Sequence, residues 1–140
     1  MGNPAAAPAP VLAYGGREED TVVKLMLLLY RRPDLSPDDF RRYLQESHMP
    51  LVARLPGLRR TVVNLPLAGA PGAPELPPGC DAVGEDWFDS VESLQAALAS
   101  PEGQAAGADA PNFLDVDRTE MLVMEEEEVP LPSAPAWASR

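Results

Sequence analysis

The stretch Val22 to Tyr30 constrains the fold more than any other part of the chain. Read in alternation, one face carries Val23, Leu25, Leu27 and Leu29. The other carries Val22, Lys24, Met26, Leu28 and Tyr30. The uninterrupted apolar run, Leu25 to Leu29, is far shorter than the ~20 residues of a membrane span. The segment therefore reads as a strand that is apolar on both faces, and such a strand needs cover on both sides. Helices can supply one cover, and something else must supply the other.

Arg31-Arg32-Pro33-Asp34 ends this strand, and Ser36-Pro37-Asp38-Asp39 opens a helix. Serine caps free backbone N–H groups, proline suits the first turn, and acids favour the positive helix end. Phe40, Tyr43, Leu44, Leu51, Val52 and Leu55 fall at helical spacing. Pro50 has no N–H and its ring opposes the carbonyl of Glu46, which predicts a kink or restart near Ser47–Met49. Pro56-Gly57 ends the helix, and Leu58 to Leu65 reads as a second strand with β-branched Thr61, Val62 and Val63.

Residues 66–80 hold five prolines and three glycines and read as a long irregular loop. Asp81 to Phe88 is a third strand. Ser90 caps a helix through Ser100, Pro101 opens another from Glu102 to Ala110 with a break expected at Gly107, and Thr119 to Met124 is the last strand. The order strand–helix–strand–strand–helix–strand predicts an α+β, ferredoxin-like βαββαβ fold. Its sheet has four antiparallel strands, with the helices on one face. The other face keeps apolar side chains from the first strand, so pairing across a two-fold axis predicts a homodimer.

Residues 1–20 are dominated by Ala, Pro and Gly, residues 128–140 carry three prolines and no periodicity, and both are expected to be disordered tails around a domain at 21–127. Net charge is −11, which argues against nucleic acid, because phosphate binding needs a basic surface. Lys24 to Arg60 holds eight basic and four acidic residues, whereas Thr61 to Glu128 holds one basic residue against fifteen acids. This reads as a soluble acidic surface, or as two halves, or two subunits, that meet with opposite charge. Cys80 is the single cysteine and has no partner for an internal disulfide, which suits a reducing compartment. With one cysteine and one histidine, no zinc site is expected. No secretory signal, myristoylation signal or membrane span is read, so the expected setting is cytoplasmic, with no membrane partner.

Several stretches resemble the EthD family. They are V-K-L-M-L-L-L-Y-R-R-P-D-L-S-P-D-D-F-R-R-Y, S-H-M-P-L-V, L-P-G-L-R-R, D-W-F-D-S-V-E-S-L-Q-A-A-L-A-S-P-E-G and D-A-P-N-F-L-D, spread over Val22 to Glu126. The resemblance implies the dimeric α+β barrel superfamily. That group includes cofactor-independent monooxygenases, lactone isomerases, polyketide cyclases, decarboxylases and dehydratases, and haem-degrading enzymes. The EthD family takes its name from a protein linked to bacterial ether degradation. Kinship of fold fixes a chemistry poorly, so function has to be argued from the site.

His48, the sole histidine, is the candidate catalytic residue. It lies four residues after Leu44 and eight after Phe40, a spacing that points it at the sheet, and it sits beside the break made by Pro50. Imidazole suits general acid–base work near neutral pH; hydrogen bonding to a freed backbone carbonyl is the purely structural alternative. Tyr30, Tyr43, Trp87 and Phe113 are candidate substrate-binding aromatics that can equally serve as core, and Asn64 is a candidate oxyanion contact. Lys24 is expected to pair with an acid, Glu85 or Glu120. No nucleophile elbow, GxGxxG, phosphate loop or calcium loop is present.

The leading expectation is a cofactor-independent lyase, cyclase or isomerase acting on a cyclic or aromatic, polyketide-like metabolite. It would take a small hydrophobic ligand, with His48 as general acid–base. The alternatives are a non-catalytic ligand-binding or accessory protein of an oxygenase or ether-degradation pathway, a cofactor-free monooxygenase, and haem ligation by His48.

Overall fold

The computed structural model describes residues 22–67 and 80–133. The expectations for residues 1–20, for most of the 66–80 loop and for the last residues of the chain fall outside them. Strands β1 (Val23–Leu29), β2 (Arg60–Asn64), β3 (Ala82–Phe88) and β4 (Glu120–Glu125) form one antiparallel sheet in the order β2-β3-β1-β4. This is the ferredoxin-like arrangement read from the order of elements. β1 and β2 stop a residue or two inside the expected limits, β3 and β4 start one residue late, and β4 runs one residue further, to Glu125. At Tyr30, for example, the chain leaves the ladder: its N–H goes to Thr119 Oγ1 (3.4 Å), and its carbonyl accepts from the Asp115 amide (2.8 Å).

The helical layer comprises α1 (Pro37–Tyr43), a π-helical turn at Leu44–His48, α2 (Met49–Val52), α3 (Val91–Ala99) and α4 (Pro101–Asp109), with a 3₁₀ turn at Ala110–Asn112. Three serines start the longer helices in the same way. Ser36, Ser90 and Ser100 accept from the amides of Asp39, Ser93 and Gly103, each with an acid in the first turn behind it. The expected break at Gly107 is absent, and α4 runs through it. A glycine costs a helix only ~1 kcal/mol, which the Ser100 cap and Pro101 at the first turn help to offset.

Register fixes which side chains share a face. Leu25 lies opposite Asp86, Leu27 opposite Gly84, Thr61 opposite Asp86 and Val63 opposite Gly84. The odd positions of β1 face the helices in two clusters. Val23, Leu25 and Phe88 pack with Val52, Leu55, Leu94 and Ala97, while Leu29 and Ala82 pack with Phe40, Leu44, Phe113 and Leu114. Leu27 and Met49 touch both clusters and join them across the middle of the sheet.

On the other face Lys24 Nζ donates to Glu85 Oε2 at 3.0 Å, the first of its two expected partners. The guanidinium of Arg60 lies 4.4 Å from the centre of the Trp87 ring, whose Nε1 donates to Glu126. Three ion pairs, Lys24–Glu85, Arg31–Asp81 and Arg59–Asp89, join a cation from the basic first half to an acid from the second. Opposite charge therefore does meet between the halves, although exposed pairs such as Arg59–Asp89 add little stability.

Candidate active site

The site begins with the proline at position 50. Without an N–H, Pro50 leaves the carbonyl of Glu46 short of its α-helical donor. The chain does not break there. It widens by one residue, so that the Met49 amide donates to the Leu44 carbonyl five positions back. Sheet-facing positions then run Phe40, Leu44, Met49, Val52, a five-residue step in the middle. Met49, five residues after Leu44, packs against both core clusters, one position beyond the place that four-residue spacing gives His48. The imidazole of His48 reaches the end of α4.

There it meets Asp109, the last residue of α4, with His48 Nδ1 2.9 Å from Asp109 Oδ2. Both side chains are mostly buried, 13% and 14% exposed. The other carboxylate oxygen accepts from the Tyr43 hydroxyl at 2.5 Å and from Asn112 Nδ2 at 3.0 Å. Phe113 floors the cluster: its ring centre lies 4.8 Å from that of His48, 5.0 Å from Tyr43 and 5.6 Å from Phe40. The Arg32 amide donates to the Phe113 carbonyl at 3.0 Å and so ties the 3₁₀ turn to the end of β1.

Burial alone would raise the Asp109 carboxyl. The hydrogen bonds from Tyr43, His48 and Asn112 outweigh it and hold the group below its ordinary value. The same bond to Asp109, helped by burial, pushes the Tyr43 phenol up. An ionised carboxylate only accepts, so Nδ1 carries the proton, and in the neutral imidazole Nε2 carries the lone pair. Nε2 has no hydrogen-bond partner among the described residues. It is not sealed off either, since every fully buried side-chain nitrogen or oxygen there is bonded. The result is an oriented base with one free nitrogen.

Linkage gives a check on this geometry. A carboxyl depressed in the fold stabilises the protein above the unfolded value, ~3.9, and that contribution is lost as pH falls through the lower folded value. Asp109→Asn is expected to lower the denaturation midpoint most at neutral pH, with the gap to wild type narrowing in acid. A gap that does not change with pH would mean the carboxylate is not held by these three donors.

Sheet residues below the imidazole were not singled out from the sequence. Asp86 is 6% exposed on the helix-facing side and accepts from Thr61 Oγ1 at 2.6 Å. Burial raises its carboxyl; the Thr61 bond and the charge of His48 act the other way. Beside it Gly84 leaves room: a β-carbon there would meet only the Leu27 side chain, at 3.6 and 3.8 Å, and nothing else within 4 Å.

The remaining candidates lie elsewhere. Asn64 and Trp87 sit on the opposite face of the sheet, where Asn64 Nδ2 donates to the Val83 carbonyl and to Glu85 Oε1, both at 3.1 Å. Tyr30 is buried at the end of β1 under the guanidinium of Arg118, 4.4 Å from its ring centre. The sequence-stated set thus divides, with His48, Tyr43 and Phe113 together and the other three apart. Asp109 and Asn112 were legible only as letters of D-A-P-N-F-L-D. A surface concavity of ≈ 280 Å³ opens on the outer side of Tyr43 and Asn112, lined also by Leu35, Asp39, Arg42, Glu46 and Ser47. Cys80 is buried, and burial pushes its thiol up, which keeps it out of nucleophilic chemistry.

Comparison with known proteins agrees with this architecture. An uncharacterised 11.0 kDa protein from the thcB–thcC intergenic region of Rhodococcus erythropolis is 32% identical over 102 residues, 73% of this chain and 93% of that protein. The crystal structure of an EthD family protein from Bacillus halodurans is 31% identical and superposes with a TM-score of 0.62, covering 76% of this chain and 99% of that one. SnoaB, a cofactor-independent oxygenase from Streptomyces nogalater, shares the fold at 15% identity and a TM-score of 0.56, over 81% of this chain and 99% of that one. The EthD domain model matches residues 32–117, and the chain belongs to the EthD family.

Proposed function

We propose that this chain is a small enzyme that uses no bound cofactor and moves a proton on a cyclic or aromatic, polyketide-like metabolite, with His48 as general base and acid. The observation that carries the reading is the Nδ1–Asp109 contact, which fixes the tautomer and leaves Nε2 free. Nε2 takes a proton from a bound substrate, and the imidazolium is held beside the Asp109 carboxylate. The proton then returns to another atom, to a carbon in isomerisation or to a departing hydroxyl in dehydration. Tyr43 and Asn112 hold Asp109 from the far side, so the base keeps its aim as its charge changes.

The test is NMR of the imidazole, which needs no assignment because His48 is the only histidine. Phenolic and anthrone-like ligands are added in turn. One ligand class is expected to move the ring signals, and Asp109→Asn to change that response. An imidazole indifferent to every ligand points instead to an accessory protein of an oxygenase pathway.

The likeness to SnoaB favours a second reading, a cofactor-free monooxygenase in which an anthrone-like substrate reacts directly with O₂. Dioxygen uptake in metal-free buffer separates the two.

The same proposal includes a homodimer. On β4, Leu122 and Met124 lie on the sheet face away from the helices and are each 41% exposed. Apolar side chains left uncovered there suit a second copy. Light scattering is expected to give twice the 15.0 kDa chain mass, and Leu122→Arg to shift it toward one. A wild-type monomer would refute this part. No helix among the described residues is long and apolar enough to cross a membrane.

A further inference from the structure

Asp86 is a buried carboxyl with no lysine or arginine bonded to it among the described residues. It is 6% exposed on the helix-facing side of β3, opposite Leu25 on β1 and Thr61 on β2, and its single hydrogen-bond donor among the described residues is Thr61 Oγ1 at 2.6 Å. Among the described residues no lysine or arginine bonds to it, and His48, on the π turn above, is the one titratable group whose charge reaches it. A buried carboxylate with so little compensation is costly and takes up a proton instead. Its second oxygen, Oδ2, has no hydrogen-bond partner among the described residues, yet no fully buried side-chain oxygen there lacks one. Oδ2 is therefore not fully sealed off, and Gly84, two residues back on the same face of β3, adds no side chain beside Asp86.

We propose that Asp86 is a second working group of this site: a neutral carboxylic acid whose Oδ2–H donates to the substrate oxygen that gains charge when His48 removes a proton from the neighbouring carbon. The inference rests on the acid–base reading of His48 and names the substrate class, a ketone with an acidic C–H beside its carbonyl, or its phenolic tautomer. The C–H bond breaks and its proton goes to Nε2. The freed pair forms the new C=C bond, and the carbonyl π pair moves to the oxygen, where the Asp86 proton is shared. Return of the proton from Nε2 to a different carbon completes an isomerisation with no change in oxidation level. A carboxylic acid kept neutral by an apolar site is a known means of holding an oxyanion.

The experiment uses the full chain, as wild type, Asp86→Asn and His48→Gln, with 4-nitrophenol as the probe. Infrared difference spectra at neutral pH are expected to show the carbonyl band of a neutral acid. The band should be present in wild type and His48→Gln, absent in Asp86→Asn, and displaced when 4-nitrophenol binds. Asp86→Asn keeps an acceptor for Thr61 and puts a less acidic N–H donor where Oδ2–H stood, and is expected to weaken 4-nitrophenol several-fold, the size of a hydrogen bond made poorer and not removed. It should also melt higher than wild type above the ordinary carboxylate range. There a carboxyl raised in the fold has already cost stability as pH rose past its unfolded value.

Absence of the neutral-acid band overturns the proposal. So does a wild type that fails to bind the phenol, or a band that binding leaves in place. Should Asp86→Asn not fold, the wild-type band and its displacement decide alone. Failure of the underlying reading looks different: the Asp86 band moves with 4-nitrophenol while the His48 ring signals do not.

Discussion

His48→Gln is expected to lower turnover by ~10²–10⁴-fold, the usual worth of a positioned general base, with a much smaller change in KM. Glutamine can still donate a side-chain N–H toward Asp109, so the variant removes the basic nitrogen while keeping a partner for the carboxylate. Asp109→Asn should lose activity in a different manner. An amide N–H facing Nδ1 favours the tautomer with its proton on Nε2, and the lone pair then points away from the substrate. The decisive measurement is kcat for both variants on a substrate that the wild type consumes. Near-wild-type turnover by His48→Gln would remove the imidazole from the chemistry and leave it a packing and pairing role.

Phe113→Ala is expected to cost ~3–5 kcal/mol, as for other fully buried phenylalanines cut back to alanine. Phe113 is fully buried against Phe40, Tyr43 and His48, and two of those neighbours belong to the site itself. Against a typical stability of ~5–15 kcal/mol, the loss is large enough to read directly from a urea melt. Activity should fall with it, because the floor under the imidazole goes too. A loss below ~1 kcal/mol would mean that the ring does little in the core and would strengthen its assignment as a ligand contact.

Much of the fold was legible because its signals are local. The two-faced apolar run of β1, the Ser-Pro-Asp-Asp helix start and the Ser90 cap each depend on neighbours within a few residues, and each is found where expected. Lys24 was readable as a paired cation for a similar reason, since a charge in an apolar strand needs a partner and Glu85 lies on the neighbouring strand. The site was legible only in part. His48 and Asp109 are 61 positions apart, and nothing in either neighbourhood announces the other. Asp86 stands in a run of polar and aromatic letters, where only the register with Leu25 reveals that it is buried under the helices. Gly107 misled because its cost is small beside the cap and packing that hold α4.

The wide turn at Leu44–His48 also bears on how such a site can arise. Relative to an ordinary helix it is equivalent to a single-codon insertion. Phe40 ahead of it and Leu44 at its start keep their seats on one core cluster; behind it, Val52 and Leu55 keep theirs on the other. One residue is thereby released from packing duty and can bear a reactive group without leaving a hole. Shortening the turn by one residue would send the imidazole into the hydrophobic interior, and the protein would exchange a chemical capability for a more regular helix.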